Sequence, residues 1–318
     1  MHEKKFSTVY APIFVSVILL LLLISENIIK TAVSGGTDYY LSYTVVQLIV
    51  YMLPLAFYCK VRNVMFFEAL KFNLFSYRYL LLIICLGLMF LSSLLLFLFG
   101  DLYYFGGVVA ANKMTSMSFS ADEALYALIA LVVVPAIVKE LLFRGIVLTE
   151  YRAYGAIPAI IMSSVLFSLS SMNFSSVPIL LYSGVFFGII SVATDSVIPS
   201  IVLHIIYNAF SIYASGVVIT YMKKISDSAM PLFVLGVILL LLLFLVFCVL
   251  ESIYRKKADD CGEQNEVIKK LTALDNSGDK KKIVKEKKKI SAIAYELFAS
   301  PSLWCCLAIF IIAAVINL

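Results

Sequence analysis

The stretch VVVPAIVKELLFRG, Val132 to Gly145, sets an apolar run against Lys139, Glu140 and Arg144, three charges within six residues. Its apolar half has the character of a membrane span, and ionisable groups at that depth are costly and usually functional. On a helix, Glu140 and Arg144 are four positions apart, share a face and pair, with the acid N-terminal to the base. Lys139 is turned about 100° from Glu140 and looks toward a different neighbour. Gly145 lets another backbone approach. An ion pair at a helix end that snorkels to the surface would account for the same charges without chemistry.

The rest of the chain fixes the setting. Hydrophobic residues make up 62% of its 318 positions and charged ones 14%, with a mean hydropathy of +1.01. A soluble domain averages roughly 45–50% apolar and about 25% charged residues. A helical span needs about 20 apolar residues, and runs of this length read as helices, not strands. The fold class is therefore an all-α polytopic membrane protein. The apolar segments are about 9–25, 41–59, 79–99, 124–143, 155–170, 177–193, 197–221, 230–250 and 302–317. They predict eight spans and a shorter ninth, about 8–9 transmembrane helices. Segments 155–170 and 177–193 are short enough to be tilted or partly re-entrant.

Of the 45 charged residues, 21 lie in 251–296, so the net charge of +5 describes one segment and not a nucleic-acid surface. That segment reads as a charged cytoplasmic linker. Its run KKKIVKEKKK, Lys280 to Lys289, would attract anionic headgroups at about 1 kcal/mol per basic residue near the surface. Lys4 and Lys5 before the first apolar run also fit a signal peptide, but Glu26 and Lys30 follow where a small-residue cleavage site would stand. A retained first span is expected. Lys4, Lys5, Lys60, Arg62, Lys71 and Arg78 place the N-terminus in the cytoplasm. Loop 100–122, with Asp101, Lys113 and Asp122, then lies outside. Lys223 and Lys224 conflict with this, since they too fall outside. Six cysteines (Cys59, Cys85, Cys248, Cys261, Cys305 and Cys306) have no CxxC spacing and read as reduced packing residues. Trp304 fits an interfacial anchor.

Two more stretches carry polar groups into apolar surroundings. LYSGVFFGIISVATDSVIPSIVLHIIYNAF, Leu181 to Phe210, has Gly184 and Gly188 at GxxxG spacing, which permits close helix contact. Within it, His204 and Asn208 are four positions apart and share a helix face. Both are donors able to polarise a carbonyl. SSVLFSLSSMNF, Ser163 to Phe174, is serine-rich without charge or histidine, and such serines most often bond to backbone carbonyls.

These three stretches, in order over about residues 120–215, resemble the CPBP family. It comprises CAAX prenyl proteases and bacteriocin-processing or immunity proteins, and is also called Abi. Its first motif, EExxxR, reads here KELLFRG, Lys139 to Gly145. Its second, FxxxH, reads FSLSS, Phe167 to Ser171. Its third, HxxxN, is intact as HIIYN, His204 to Asn208. The glycine-rich helix with Gly184 and Gly188, and the turn Thr194-Asp195-Ser196, fit the same pattern.

The resemblance implies an intramembrane endopeptidase. The first glutamate of motif one and the histidine of motif two would activate a water. His204 and Asn208 would stabilise the oxyanion. The departures fall on the activating pair, since Lys139 stands for the glutamate and Ser171 for the histidine. Glu140, Arg144, His204 and Asn208 survive. A general base must accept a proton near working pH. A lysine with its ordinary pKa of about 10.4 is already protonated.

The expected function is a catalytically impaired homologue, a pseudoprotease acting as membrane regulator or scaffold on a membrane protein partner. The alternative is an active protease for membrane-associated, prenylated or bacteriocin-type peptides, with Glu140 as base and His204 and Asn208 at the oxyanion. A Ser171–Lys139 dyad and a transporter using the polar cluster are weaker readings. No cofactor is expected. A metal, if held at all, would take Glu140 and His204, fewer than the three or four ligands of a zinc site. The partners are the lipid bilayer and a membrane protein or peptide, with no nucleic acid. The localisation is multi-pass in a bacterial plasma membrane. The chain divides into N-terminal helices (1–119), the CPBP-like core (120–220), a further helix (221–250), the charged linker (251–298) and a C-terminal helix (299–318).

Overall fold

The computed structural model describes residues 10–32, 36–63, 72, 79–106, 119–225, 228–272 and 300–316. Lys4, Lys5, Lys71, Arg78, Lys113 and the run Lys280 to Lys289 lie outside them. So do the side chains of Glu26, Lys30, Asp122 and Cys261. The described residues form helices without a strand. In chain order these are α1 (Ala11–Ala32), α2 (Gly36–Arg62), α3 (Leu80–Phe105), α4 (Glu123–Tyr154), α5 (Ala156–Leu169), α6 (Val177–Thr194), α7 (Ile198–Ala209), α8 (Ser215–Ile225), α9 (Met230–Thr272) and α10 (Pro301–Ile316).

The polytopic helical class holds, while the expected count of spans is larger than the helix lengths support. Among the described residues five helices are long and apolar enough to cross a membrane. A sixth span arises if the bent pair Ile198–Ala214 and Gly216–Ile225 counts as one. The apolar stretches Ala11–Ser25, Ala156–Leu169 and Pro301–Ile316 run to fewer than 18 residues. Segment 197–221, expected as one span, is broken by a 66° bend. Lys223 and Lys224 close the bent-off helix α8, so they need not mark the far end of a straight span. The charged segment after 250 begins as helix, because α9 continues unbroken to Thr272.

The largest difference lies in α4. The apolar segment that ends near residue 143 continues through the charged residues to Tyr154. Two π-helical stretches, Leu128–Val133 and Leu141–Val147, interrupt its α-helical turns. Pro135 sits between them without an N–H to donate. Such widened turns recur at functional sites. Arg144 and Gly145 therefore lie inside a long helix, and the snorkelling reading fails.

Polar contacts fix one end of the bundle and aromatic contacts the other. The Ala11 amide donates to Glu150 Oε2 at 2.7 Å, while Tyr58 Oη and Arg62 Nη2 donate to Glu150 Oε1 at 2.6 and 2.8 Å. Arg152 Nη1 donates to Asp195 Oδ1 at 2.6 Å. One face of the bundle thus gathers the start of α1 and the ends of α2, α4 and α6. At the other face Phe119 lies between Tyr40 and Tyr213, its ring centroid 6.1 and 5.4 Å from theirs. The C-terminal helix α10 packs on α1, where Cys306 Sγ lies 2.9 Å from the Pro12 carbonyl and 3.0 Å from Ser16 Oγ. Cys59, Cys85 and Cys306 are buried free thiols, and Cys248 and Cys305 are exposed ones. Trp304 is exposed near the start of α10.

The GxxxG pair on α6 faces α5. A Cβ added at Gly184 would meet Ser164 Cβ at 3.0 Å and Ser164 Cα at 3.1 Å, and one at Gly188 would meet Ile160 Cγ2 at 3.1 Å. Hence Gly184→Val should overpack this seam and cost about 1–3 kcal/mol, read as a lower thermal midpoint of the purified protein. Gly236→Val, where an added Cβ meets nothing within 4 Å, should leave the midpoint unchanged.

Candidate functional site

Glu140 closes an α-helical turn of α4, and Arg144 lies in the π-helical stretch that follows. Both side chains have 0% exposure, and His204 on α7 has 3%. Arg144 Nη1 donates to Glu140 Oε1 at 3.2 Å. Its Nε lies 3.1 Å from Oε2, an ion contact without hydrogen-bond geometry, so both of those atoms are buried without a hydrogen bond. His204 Nδ1 stands 2.8 Å from Glu140 Oε1. With its proton on Nδ1 the imidazole donates to the carboxylate, which leaves Nε2 as the acceptor.

A third helix completes the cluster. Arg144 Nη2 donates to the Gly184 carbonyl at 2.8 Å, where α6 is already drawn close by its glycine. The guanidinium lies 4.6 Å above the Phe167 ring and 5.4 Å from Phe187. His204 stacks on Phe187 at 5.0 Å and meets Phe167 edge-on at 5.4 Å. Glu140, Arg144 and His204 are thus enclosed by two aromatic rings and a backbone carbonyl.

The other candidate residues are arranged differently. Asn208 is half-buried and donates its Nδ2 to the Val132 carbonyl at 3.1 Å. It joins α7 to α4 above the cluster. Phe167, the first residue of the second motif, walls the cluster. Ser171, the last, is half-buried, and its hydroxyl donates to the carbonyls of Ser168 at 2.9 Å and Asn173 at 3.3 Å. These bonds lie within its own turn. Ser163, Ser164, Ser168 and Ser170 likewise donate to carbonyls three or four residues back. Lys139 is half-buried, and its charge acts with that of Arg144 on the imidazole. Asp195 pairs with Arg152 at the bundle face, away from the cluster.

As a metal site the donor set falls short. Among the described residues no three His, Cys, Asp or Glu side chains gather, and the pair Glu140 and His204 does not supply the three or four ligands of a zinc site. What the arrangement does offer is a fully buried carboxyl group held between the Arg144 guanidinium and the His204 imidazole.

Four participants are not visible as motif residues. Phe187 is an ordinary aromatic on an apolar helix, and only its position three residues after Gly184 hints at the cluster. The Gly184 and Val132 carbonyls carry no side-chain signal at all. Glu150, ten residues after Glu140, ties down the bundle face with Tyr58 and Arg62.

Residues 121–210 match the model of the family described as type II CAAX prenyl endopeptidase, Rce1-like. The matched segment contains the whole Glu140–Arg144–His204 cluster. No curated protein and no solved structure matches the chain.

Breaking one side of a buried ion pair costs about 3–5 kcal/mol, whereas replacing both partners by apolar residues is often neutral. Arg144→Met alone should therefore lower the thermal midpoint sharply. Adding Glu140→Leu to that variant should restore most of the loss. Equal midpoints for the single and double variants would show that the carboxylate does not need the cation.

Proposed function

We propose that this integral membrane protein, whose residues 121–210 match the CAAX-protease family model, is a non-hydrolytic member of that family, a membrane regulator or scaffold. The observation that carries the reading is the state of Glu140. Its carboxylate is fully buried, with Oε1 taken by His204 and Arg144 and Oε2 against the Arg144 Nε. A general base has to reach, directly or through one water, the proton that it removes. A carboxylate closed in by a guanidinium, an imidazole and two phenyl rings is built to hold helices together.

The two substituted positions point the same way. Lys139 stands where the motif's first glutamate would be, and an amine with the ordinary lysine pKa of about 10.4 is already protonated and does not take a proton from water. Ser171 directs its hydroxyl to the carbonyls of its own turn. Neither group is arranged to activate water. The retained core would then present its helices to a membrane protein or to a peptide that it binds without cutting. The Lys/Arg-bearing face with Arg62 and Arg152 is assigned to the cytoplasm under this proposal, following the positive-inside rule.

One observation favours the competing reading of an active endopeptidase that uses Glu140, His204 and Asn208. A carboxylate hydrogen-bonded to an imidazole is also the pairing that a base and its orienting group make. The two readings separate in the native host. Membrane fractions of cells carrying the wild type, Glu140→Gln, His204→Ala and Ser171→Ala should show the same set of new protein N-termini. Termini that disappear with Glu140→Gln and His204→Ala, in variants that retain their thermal midpoint, would make the chain a protease. Loss with Ser171→Ala as well would bring the serine into the chemistry.

A further inference from the structure

At the bundle face opposite Glu150, aromatic rings gather beside an acid. Tyr39 and Tyr43 are four apart on α2 and stack, their ring centroids 6.2 Å apart and their planes 22° from parallel. Tyr39 meets Tyr40 at 5.5 Å with planes at 81°, and Tyr40 meets Phe119 at 6.1 Å and 65°. Phe119 in turn lies 5.4 Å from Tyr213, in the π-helical stretch Phe210–Ala214 that follows α7. Five rings from three parts of the chain thus form one continuous wall. All five are half-buried, so each is held by packing and still reaches the surface.

The acid is Glu123, in the first turn of α4, and its charge acts on the Tyr40 hydroxyl. Its Oε2 takes the Ser120 amide at 3.4 Å, the long bond of a capping box. A carboxylate has about four lone-pair sites, so that bond does not exhaust it. Tyr213 Oη donates to the Ala124 carbonyl at 3.1 Å, which pins the far end of the wall to the same turn of α4. Asp38 is exposed in the first turn of α2, one residue before Tyr39. Two of the helices long enough to cross a membrane begin at Thr37 and Glu123, so the wall stands at the level of the lipid headgroups.

Tyrosines at that level often serve as interfacial anchors. Anchoring alone calls for single rings, not for rings set at steep angles to one another beside a carboxylate. That arrangement is the one that recognises quaternary ammonium groups, by their attraction to ring faces. We propose that the wall binds the trimethylammonium head of a choline phospholipid, its methyl groups against Tyr39, Tyr40 and Phe119 and its charge toward Glu123. A primary ammonium has N–H groups whose hydrogen bonds to water the ring faces do not replace, whereas a trimethylammonium gives up none. A headgroup with a net negative charge and no cation would meet Glu123 and Asp38 as like charges. This site is separate from the Glu140 cluster and stands whether or not the core hydrolyses peptides.

The test is native mass spectrometry of the full chain in a non-ionic detergent, with phosphatidylcholine, phosphatidylethanolamine or phosphatidylglycerol of the same acyl chains added. The choline lipid adduct should exceed each of the others by about fivefold, the scale of one cation–π contact at a partly exposed site. Tyr40→Leu, which removes a ring but keeps an apolar side chain, should bring the choline lipid down to the level of the ethanolamine lipid, while Tyr40→Phe should keep the preference. Glu123→Gln, which retains an acceptor for the Ser120 amide, should also reduce the preference. Equal adducts for the three lipids, which is what anchoring alone predicts, or an excess of either other lipid, would overturn the proposal. So would a choline preference that survives Tyr40→Leu. The thermal midpoint shows which variants keep the fold, and if Tyr40→Leu lowers it, Glu123→Gln decides.

Discussion

A guanidinium buried in the middle of a membrane helix bundle has five N–H donors and no water to satisfy them. The core of this protein is organised around that constraint at Arg144. Its own helix supplies Glu140, α6 supplies the Gly184 carbonyl, and α5 and α6 supply the faces of Phe167 and Phe187. Through Glu140 the network extends to His204 on α7. One cation thus sets the mutual positions of four helices. The glycine seam follows from the same need. The Gly184 carbonyl serves Arg144 at the point where α6 passes close to α5, and a Cβ there would stand 3.0 Å from Ser164.

The contacts that satisfy Arg144 also decide what Glu140 does. The guanidinium and the imidazole between them occupy its two oxygens, and the group is wholly buried. In sequence, Lys139 and Arg144 set two basic residues around one acidic residue, where the resembled motif would set two glutamates and one arginine.

Much of this was legible in the sequence because it depends on spacing. Glu140 with Arg144 and His204 with Asn208 each lie four apart, and GxxxG at Gly184 and Gly188 announces a close seam. The apolar segments mark the helices. What spacing does not carry is depth and continuity. The charges after Val138 look like the end of a span, yet α4 continues, because its interior charges are paired internally. His204 and Asn208 share a face but part in function, one reaching Glu140 and the other the Val132 carbonyl, since a widened turn lies beside Asn208. The bend after Ala214 and the helical start of the charged segment have no strong residue signature. Phe187 and the two carbonyls are supplied by packing alone.

The two acids of α4 explain why the bundle extends beyond the matched segment. Ten residues of regular helix turn through about 1,000°, which leaves Glu140 and Glu150 pointing about 80° apart, and the π-helical stretch between them adjusts that angle further. Glu140 faces α7 and closes the core. Glu150 faces α1 and α2, where it takes the Ala11 amide, Tyr58 and Arg62. Helix α4 is therefore a wedge with one locked side toward the core and the other toward the N-terminal helices. Because α10 packs on α1 at Pro12 and Ser16, the chain's last helix is tied to the core through the same carboxylate. Glu150 thus holds α1, α2 and, through α1, α10 against α4, by contacts separate from those of the buried cluster.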